Sequence, residues 1–385
     1  MTVLPIPGTW GWRRTSTNPR KLGSHATGAC GILNDVWSEL RAEAARRELS
    51  ALAVAGLDSA AVQAAAADIV RRVVPFDATC WATVDPASGV FTGSVTLQFD
   101  PSPELEARFA QIEAAADDVN AFRSLVARDV SVARLSDADR DTLSASRRLA
   151  EIYRPLGFAR ELRAVFTADD RWWGLAELLR SSGSPDFSDR EAAFMGSVDG
   201  LIAGALRAAV LVRADFVDDA GSSVVVVDAA GNVLATTADA ERRLATLGRG
   251  SRADAALVVR SVVAAVVHQG VERAQARVRS SDGAWMIITA TPLLTTSGAP
   301  QVAVTIDPAP MADLTDLLLS AHGLSAREKE ICHQVLAGRS TSDIAATLYI
   351  SAHTVQDHLK SIFAKTGIRS RRELVAHLSH AALEA

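Results

Sequence analysis

From Gly323 to Leu378 the chain reads GLSAREKEICHQVLAGRSTSDIAATLYISAHTVQDHLKSIFAKTGIRSRRELVAHL, and this stretch leaves little freedom in how it can fold. It divides into four short helices, each with its own punctuation. Ser325 with Glu328, Ser340 with Asp343 and Ser370 with Glu373 have capping-box spacing, in which a hydroxyl accepts from an orphan amide and the acid reaches back. Ser351 alone caps the third helix. Gly338 and Gly367 stand where helices should stop, because glycine enters the left-handed closing conformation without a steric penalty. In the third helix Val355, Leu359, Ile362 and Phe363 recur at helical spacing and form one inward face. Ile331, Val335 and Leu336 do the same in the first helix, Ile344 and Leu348 in the second, and Leu374 and Leu378 in the fourth.

The second and third helices are joined only by Tyr349-Ile350-Ser351, the proportions of a helix-turn-helix whose second member enters the major groove. Its outward residues are His353, Gln356, Asp357, Lys360 and Ala364. The opening Leu324, Ser325, Arg327, Glu328, Glu330 is followed by Ala337-Gly338 with Ser340 and by Asp343 to Ala345. Then come Ile350-Ser351 with Thr354-Val355, His358 to Lys360 with Ile362-Phe363, and Arg369 to Arg371. This run closely resembles the LuxR-type DNA-binding domain of bacterial transcription regulators over about the last 60 residues. The resemblance implies that Gln356, Asp357 and Lys360 face the bases while Thr354 lies near the backbone. His358, Lys365, Arg369 and Arg371 complete the expected DNA-binding set. Gln356 can offer a donor and an acceptor to adenine, and Lys360 can donate to guanine. Asp357 either accepts from a cytosine amino group or pairs with Lys360 at i+3.

Charge agrees with this assignment. Between Ser351 and Arg372 five basic residues face one acid, a net of +4, on a chain whose net charge is −5. A basic surface on an acidic protein suits phosphate contacts and predicts salt-sensitive binding.

The 385 residues, 48% apolar, suffice for two to four domains with real cores. Three distant cysteines form no ligand-spaced cluster, which fits a reducing cytoplasm. No stretch reads as the ~18 or more apolar residues of a membrane span, so the expectation is a soluble cytoplasmic protein without membrane contact.

Residues 1–32, with Trp10, Trp12, Arg13 and Arg14, read as a mobile tail, and 33–75 as an N-terminal helical segment. Within 76–213, strand-like Thr79–Val84 and Val90–Phe99 precede helical stretches over Glu104–Arg128, breaking near Asn120, and over Ser144–Tyr153. Strand-like Glu161–Thr167 and Trp173–Arg180 follow, then a helix opened by the Ser188/Glu191 capping box. This order, with the Phe76–Pro86 run, resembles a GAF sensor domain. Residues 215–307 show a hairpin signal at Val224–Ala235, two helices and three strands, an order that resembles a PAS domain. The proline-rich run from Asp307 makes 308–316 a stiff linker into the DNA-binding module at 317–382. The expected fold is therefore multidomain: two α+β sensor-like domains ahead of an all-α four-helix module.

Chemistry outside that module is sparse. Cys80, on a strand, invites a thiol-sensor or redox-enzyme reading but has no resolving cysteine nearby, and a buried structural cysteine is the commoner case. His268 ends a helix, where a cation is favoured without any ligand role. No P-loop, paired-glycine fingerprint or nucleophile elbow occurs, so no enzyme activity, cofactor or metal is expected. The expected partners are double-stranded DNA and a second copy of the chain, the last helix offering Leu374, Val375 and Leu378 as a contact stripe. An unidentified small-molecule effector, RNA polymerase and a partner protein for the front domains remain open.

Overall fold

The computed structural model describes residues 26–99, 102–212, 223–247, 252–295 and 298–380. Two compact units divide the chain, Met1–Arg41 and Ala42–Ala385. Most of the expected tail, including Trp10, Trp12, Arg13 and Arg14, lies outside the described residues. From Ala26 the backbone is already helical, seven positions before the expected start at 33.

Helix α1 (Ala26–Leu52) and α2 (Ser59–Arg71), the latter capped by the Asp58 carboxylate accepting from the Ala61 amide, lead into the first sheet. There β1 (Ala78–Val84) and β2 (Phe91–Leu97) precede α3 (Pro103–Ala115) and α4 (Phe122–Ala127). The helical stretch over 104–128 breaks at Asn120, as expected, and also at Ala116, both at φ 53°. Next come the short β3 (Val132–Arg134) and α5 (Arg140–Ala145). Extended backbone at Ser146 separates α5 from one π-helical turn, Leu149–Tyr153, where a single helix was expected. Strands β4 (Phe158–Ala168) and β5 (Arg171–Ser181) and the capping-box helix α6 (Asp189–Val210) complete the domain. The sheet is antiparallel in the order β2-β1-β5-β4-β3.

Strand alternation separates the two faces of this sheet. Trp81, Leu162, Ala164, Phe166, Trp173, Ala176 and Leu178 join one core with residues of α2 and α6. Glu161, Arg163 and Glu177 project to the other face, and they are buried as well.

The second sheet domain runs β6 (Val224–Asp228), β7 (Val233–Thr236), α7 (Ala238–Thr246), α8 (Arg252–Gln269), β8 (Ala274–Arg279), β9 (Trp285–Leu293) and β10 (Gln301–Pro308). Its order is β7-β6-β10-β9-β8, again antiparallel, with Val258, Val262 and Val266 of α8 filling the core beneath it. Two five-stranded α+β domains ahead of a helical module bear out the expected fold class. Arg277 of β8 reaches Asp85 of the first domain with its guanidinium and with its backbone amide at 2.8 Å, and Arg260 meets Glu106 at 3.0 Å.

The interval 308–316, expected to be a linker, is not free chain. It holds the last residue of β10 and the first turns of α9 (Met311–Ala321). The prolines set the entry angle, but the next residues are apolar at helical spacing and are buried. Met311, Leu314, Leu317 and Ala321 join the core that includes α6, whereas Leu319 joins the C-terminal core. Helix α9 thus serves two cores.

Helix α6 is long and apolar enough, by length and composition, to cross a membrane. Its apolar side is accounted for by Phe194, Met195, Val198, Ile202 and Leu206 in the sheet core.

Candidate nucleic-acid interface

The C-terminal module consists of α10 (Ala326–Leu336), α11 (Thr341–Leu348), α12 (Ala352–Thr366) and α13 (Arg371–His380). Reciprocal capping boxes open α10 and α11, and the Ser351 hydroxyl accepts from the Thr354 amide at 3.0 Å. Gly338 and Gly367 take φ values of 78° and 73°, as their positions required. At α13 the Ser370 hydroxyl caps the Glu373 amide, but the Glu373 carboxylate accepts from the Arg369 amide rather than closing the box.

The core is made of the predicted apolar residues: Ile331, Val335, Ile344, Val355, Leu359, Ile362, Leu374 and Leu378. That result removes the expected dimer stripe on α13. Leu374 is fully buried and Leu378 is 6% exposed, with Val375 packed against the same cluster, so their apolar area is already spent inside the module.

Charged residues of α10 and of the loop after it hold the helices together. Arg327 donates to the Leu348 carbonyl at 2.6 Å, capping the end of α11, while Arg339 donates to Thr347 Oγ1 at 3.0 Å. Glu328, only 5% exposed, accepts from the Ser325 amide at 2.7 Å, Ser361 Oγ at 2.6 Å and Lys365 Nζ at 2.7 Å. Burial pushes this carboxyl up, but Lys365, Ser361 and the Ser325 amide outweigh it and hold it at about 2. Lys365, expected at the DNA, is thereby tied to α10, and Arg371 donates to the Arg339 carbonyl. Glu328→Gln should destabilise the module by about 1–3 kcal/mol at pH 7, through loss of charge-assisted hydrogen bonds. Because the folded pKa is depressed, the contribution is complete above the ordinary carboxylate range and lost as pH falls toward 2. Hydrogen exchange of α12 should accelerate in the variant at pH 7, and the difference should shrink below the ordinary carboxylate range and close only as pH approaches 2. Unchanged protection at pH 7 would rule the network out as a stabilising element.

On the opposite side of α12 the predicted outward residues are in place. His353, Gln356, Asp357, Lys360 and Ala364 are exposed, and Thr354 and His358 are half-buried. Gln356 Nε2 reaches Thr341 Oγ1 at 3.4 Å. Asp357 bridges Lys360 Nζ at 2.9 Å and His353 Nδ1 at 3.0 Å, so in the DNA-free chain it pairs within the helix. The Lys360 hydrogen bond is the main cause that holds its carboxyl below the usual range. Tyr349, which sequence reasoning used only as a spacer, closes α11 at φ 53° and is 95% exposed beside this face. A large aromatic directly after a helix, where glycine or asparagine would be expected, is the signal that singles it out.

The other singled-out residues lie elsewhere. Cys80 is half-buried on β1, between Thr96 of β2 and Glu177 of β5. Cys332 is buried in the module core, which pushes its thiol up to about 12. His268 closes α8, and burial holds its imidazole below the usual value. No group of three or more metal-ligating side chains occurs among the described residues.

Residues 322–378 match the family model described as bacterial regulatory proteins, luxR family. The monoamine regulon transcriptional regulator of Klebsiella aerogenes is 49% identical over 53 residues, covering 14% of this chain and 23% of that protein. The probable transcriptional regulatory protein NarL of Mycobacterium tuberculosis is 40% identical over 53 residues, covering 14% of this chain and 24% of that protein. The chain thus spans about a quarter of the length of these relatives. Among solved structures, Escherichia coli SdiA is 14% identical, covering 88% of this chain and 98% of that one at a TM-score of 0.31. The bacteriophytochrome RpBphP3 of R. palustris is 14% identical, covering 71% and 62% at a TM-score of 0.30. Scores this low say nothing about the front half. The family match and the helix boundaries agree on the C-terminal segment: residues 322–378 are a LuxR-family helix-turn-helix domain.

Proposed function

We propose that this chain is a DNA-binding transcription regulator that reads a promoter site through α12, under the control of a signal received by its two sheet domains. The observation that carries this reading is the outward face of α12, where Gln356, Asp357 and Lys360 stand exposed on successive turns of a capped, rigid helix. Arg369 is exposed and Arg371 half-buried at the entry to α13, beside the groove-facing side, where they would meet phosphates. Two copies would read two half-sites about one DNA turn apart. Since Leu374 and Leu378 are core residues, such a dimer would be built on other surfaces.

The test is selection of bound sequences from randomised duplex DNA by the full-length protein. The expected product is a short motif, repeated at about one turn, with log affinity falling with log salt by ~0.9 per phosphate contact. Recovery of sequences with no shared motif would refute the reading.

A further inference from the structure

Among the described residues, buried side chains fill much of the interior of each sheet domain. In the first, the face beneath α3 and α4 is filled by Arg148, Arg163, Glu113, Glu161 and Glu177, all buried. A gap of ≈ 30 Å³ beside Glu113 and Arg123, lined also by Ser261 and Ala265 of α8, has room for no more than a few waters. In the second, the valines of α8 close the interior. Between the two domains, however, lies a cavity of ≈ 750 Å³, within the range of small-molecule sites.

Its walls specify a chemistry. Trp173, Leu206, Val258 and Trp285 supply apolar surface, and Thr92, Ser94 and Thr96 of β2 with Ser280 and Ser281 supply hydroxyls. Each charged group in the wall has a partner, and the acids Asp58, Asp85 and Asp282 outnumber the bases Arg277 and Arg279 by one. Arg277 is paired with Asp85, and the Asp58 carboxylate caps α2. Asp282 accepts from Ser280, and Arg279 lies over the Trp285 ring at 5.2 Å while donating to the Val212 carbonyl. An anionic ligand would lose its hydration against a wall whose charges sum to −1, which is unfavourable in such a site. Leu317 of α9 also lines the cavity, so an occupant would touch both sheets and the helix that enters the DNA-binding core.

We propose that this interdomain cleft binds an uncharged, amphipathic small organic molecule, held by its apolar flank on the two indoles and by hydroxyl or carbonyl groups on the β2 and β8–β9 hydroxyls. The assignment deepens the regulator reading, on which it rests for its purpose, by locating the effector.

The experiment titrates the full-length protein with N-phenyl-1-naphthylamine, an uncharged fluorophore, and in parallel with 8-anilino-1-naphthalenesulfonate, its close analogue bearing a sulfonate. The uncharged probe should bind saturably at one per chain, and the anion at least tenfold more weakly. Ser94→Phe, which fills the cleft, should weaken the uncharged probe at least tenfold while the thermal midpoint is kept. Thr96→Phe serves as the second filled variant if the first unfolds. Absence of saturable uptake, equal affinity for the anion, or undiminished binding by a folded filled variant each overturns the proposal. Sequence selection on the same preparation separates the two readings. Probe uptake without DNA preference sinks the regulator and leaves the cleft, and DNA preference without probe uptake does the reverse.

Discussion

Arg163→Met should lower the melting temperature of the first sheet domain more than any other single substitution considered. The guanidinium is fully buried at the centre of an ionic cluster. Its Nε donates to Glu161 at 2.7 Å, its Nη2 to Glu113 at 2.8 Å and to Glu177 at 2.7 Å, and its Nη1 to the Asn120 carbonyl at 2.9 Å. One face of it lies 4.0 Å from the centroid of the Phe122 ring. Removing the cation leaves carboxylates facing one another in a dry interior with only Arg148 to compensate. Breaking a buried pair in this way costs about 3–5 kcal/mol, a large share of the ~5–15 kcal/mol that holds a domain folded. At roughly 2–4 °C per kcal/mol for a domain of this size, the first calorimetric transition should fall by at least ~6 °C. Arg163→Lys should not rescue it, because a compact ammonium cannot hold three carboxylates and a carbonyl in fixed directions. A shift of under ~2 °C for Arg163→Met would refute this account of the cluster.

The acids of the cluster respond in opposite directions. Burial pushes Glu177 up to about 7 against the attraction of Arg163. Burial also acts to raise Glu161, but Arg148 and Arg163 outweigh it and draw it down to about 2. A raised folded pKa contributes stability that is present at low pH and lost as pH rises from the unfolded carboxylate value toward 7. A lowered one contributes stability lost as pH falls toward 2. The domain should therefore be most stable near pH 5. Glu177→Gln should lie within about 1 kcal/mol of the parent at that pH, since it keeps the shape of the protonated acid. It should also abolish the loss of stability between pH 5 and 7.

The second large effect concerns DNA. In a chain carrying both Gln356→Ala and Lys360→Ala, preference for the selected motif over a scrambled duplex should collapse by about 30-fold or more. Two good side-chain-to-base pairs discriminate by ~1–3 kcal/mol each, which converts to that range at least. Weak, salt-sensitive binding should persist, because Arg369 and Arg371 remain. Both substituted side chains are exposed, so the fold should be undisturbed and a thermal melt should match the parent. Anisotropy titrations of both duplexes at two salt concentrations would check this. A preserved ratio between motif and scrambled DNA would assign base reading to other residues. Lys360 is available for such a role although it contacts Asp357, because both partners face solvent and the pair is easily exchanged.

The boundaries of the C-terminal helices were legible in the linear chain because caps are local. Ser325, Ser340 and Ser351 bond amides three residues away, and Gly338 and Gly367 act through their own backbone torsions. Inward and outward faces of α12 followed from period alone. Much of the order of strands and helices in the front half was legible for the same reason, but the three-residue β3 and the separate α5 carried too little period to be read. What the periodicity could not supply was the identity of whatever lies opposite each face. Leu374 and Leu378 form a stripe that suits a dimer or a core equally well, and only packing against α9 and α10 decided for the core. Lys365 reads as an exposed cation until Glu328, 37 positions earlier in the chain, is brought within 2.7 Å. Glu161 and Arg163 alternate with leucine and alanine as on any half-exposed strand, yet α3, α4 and the turn at Leu149–Tyr153 cover that face and turn a polar stripe into a buried network. The prolines at 308 and 310 suggested a spacer, whereas burial of Leu314 and Leu317 made the next residues a helix shared by two cores. Local hydrogen bonding and residue period thus determined the elements. The partner of each face, and with it every buried charge and the cleft between the sheets, was decided by contacts between residues far apart in the chain.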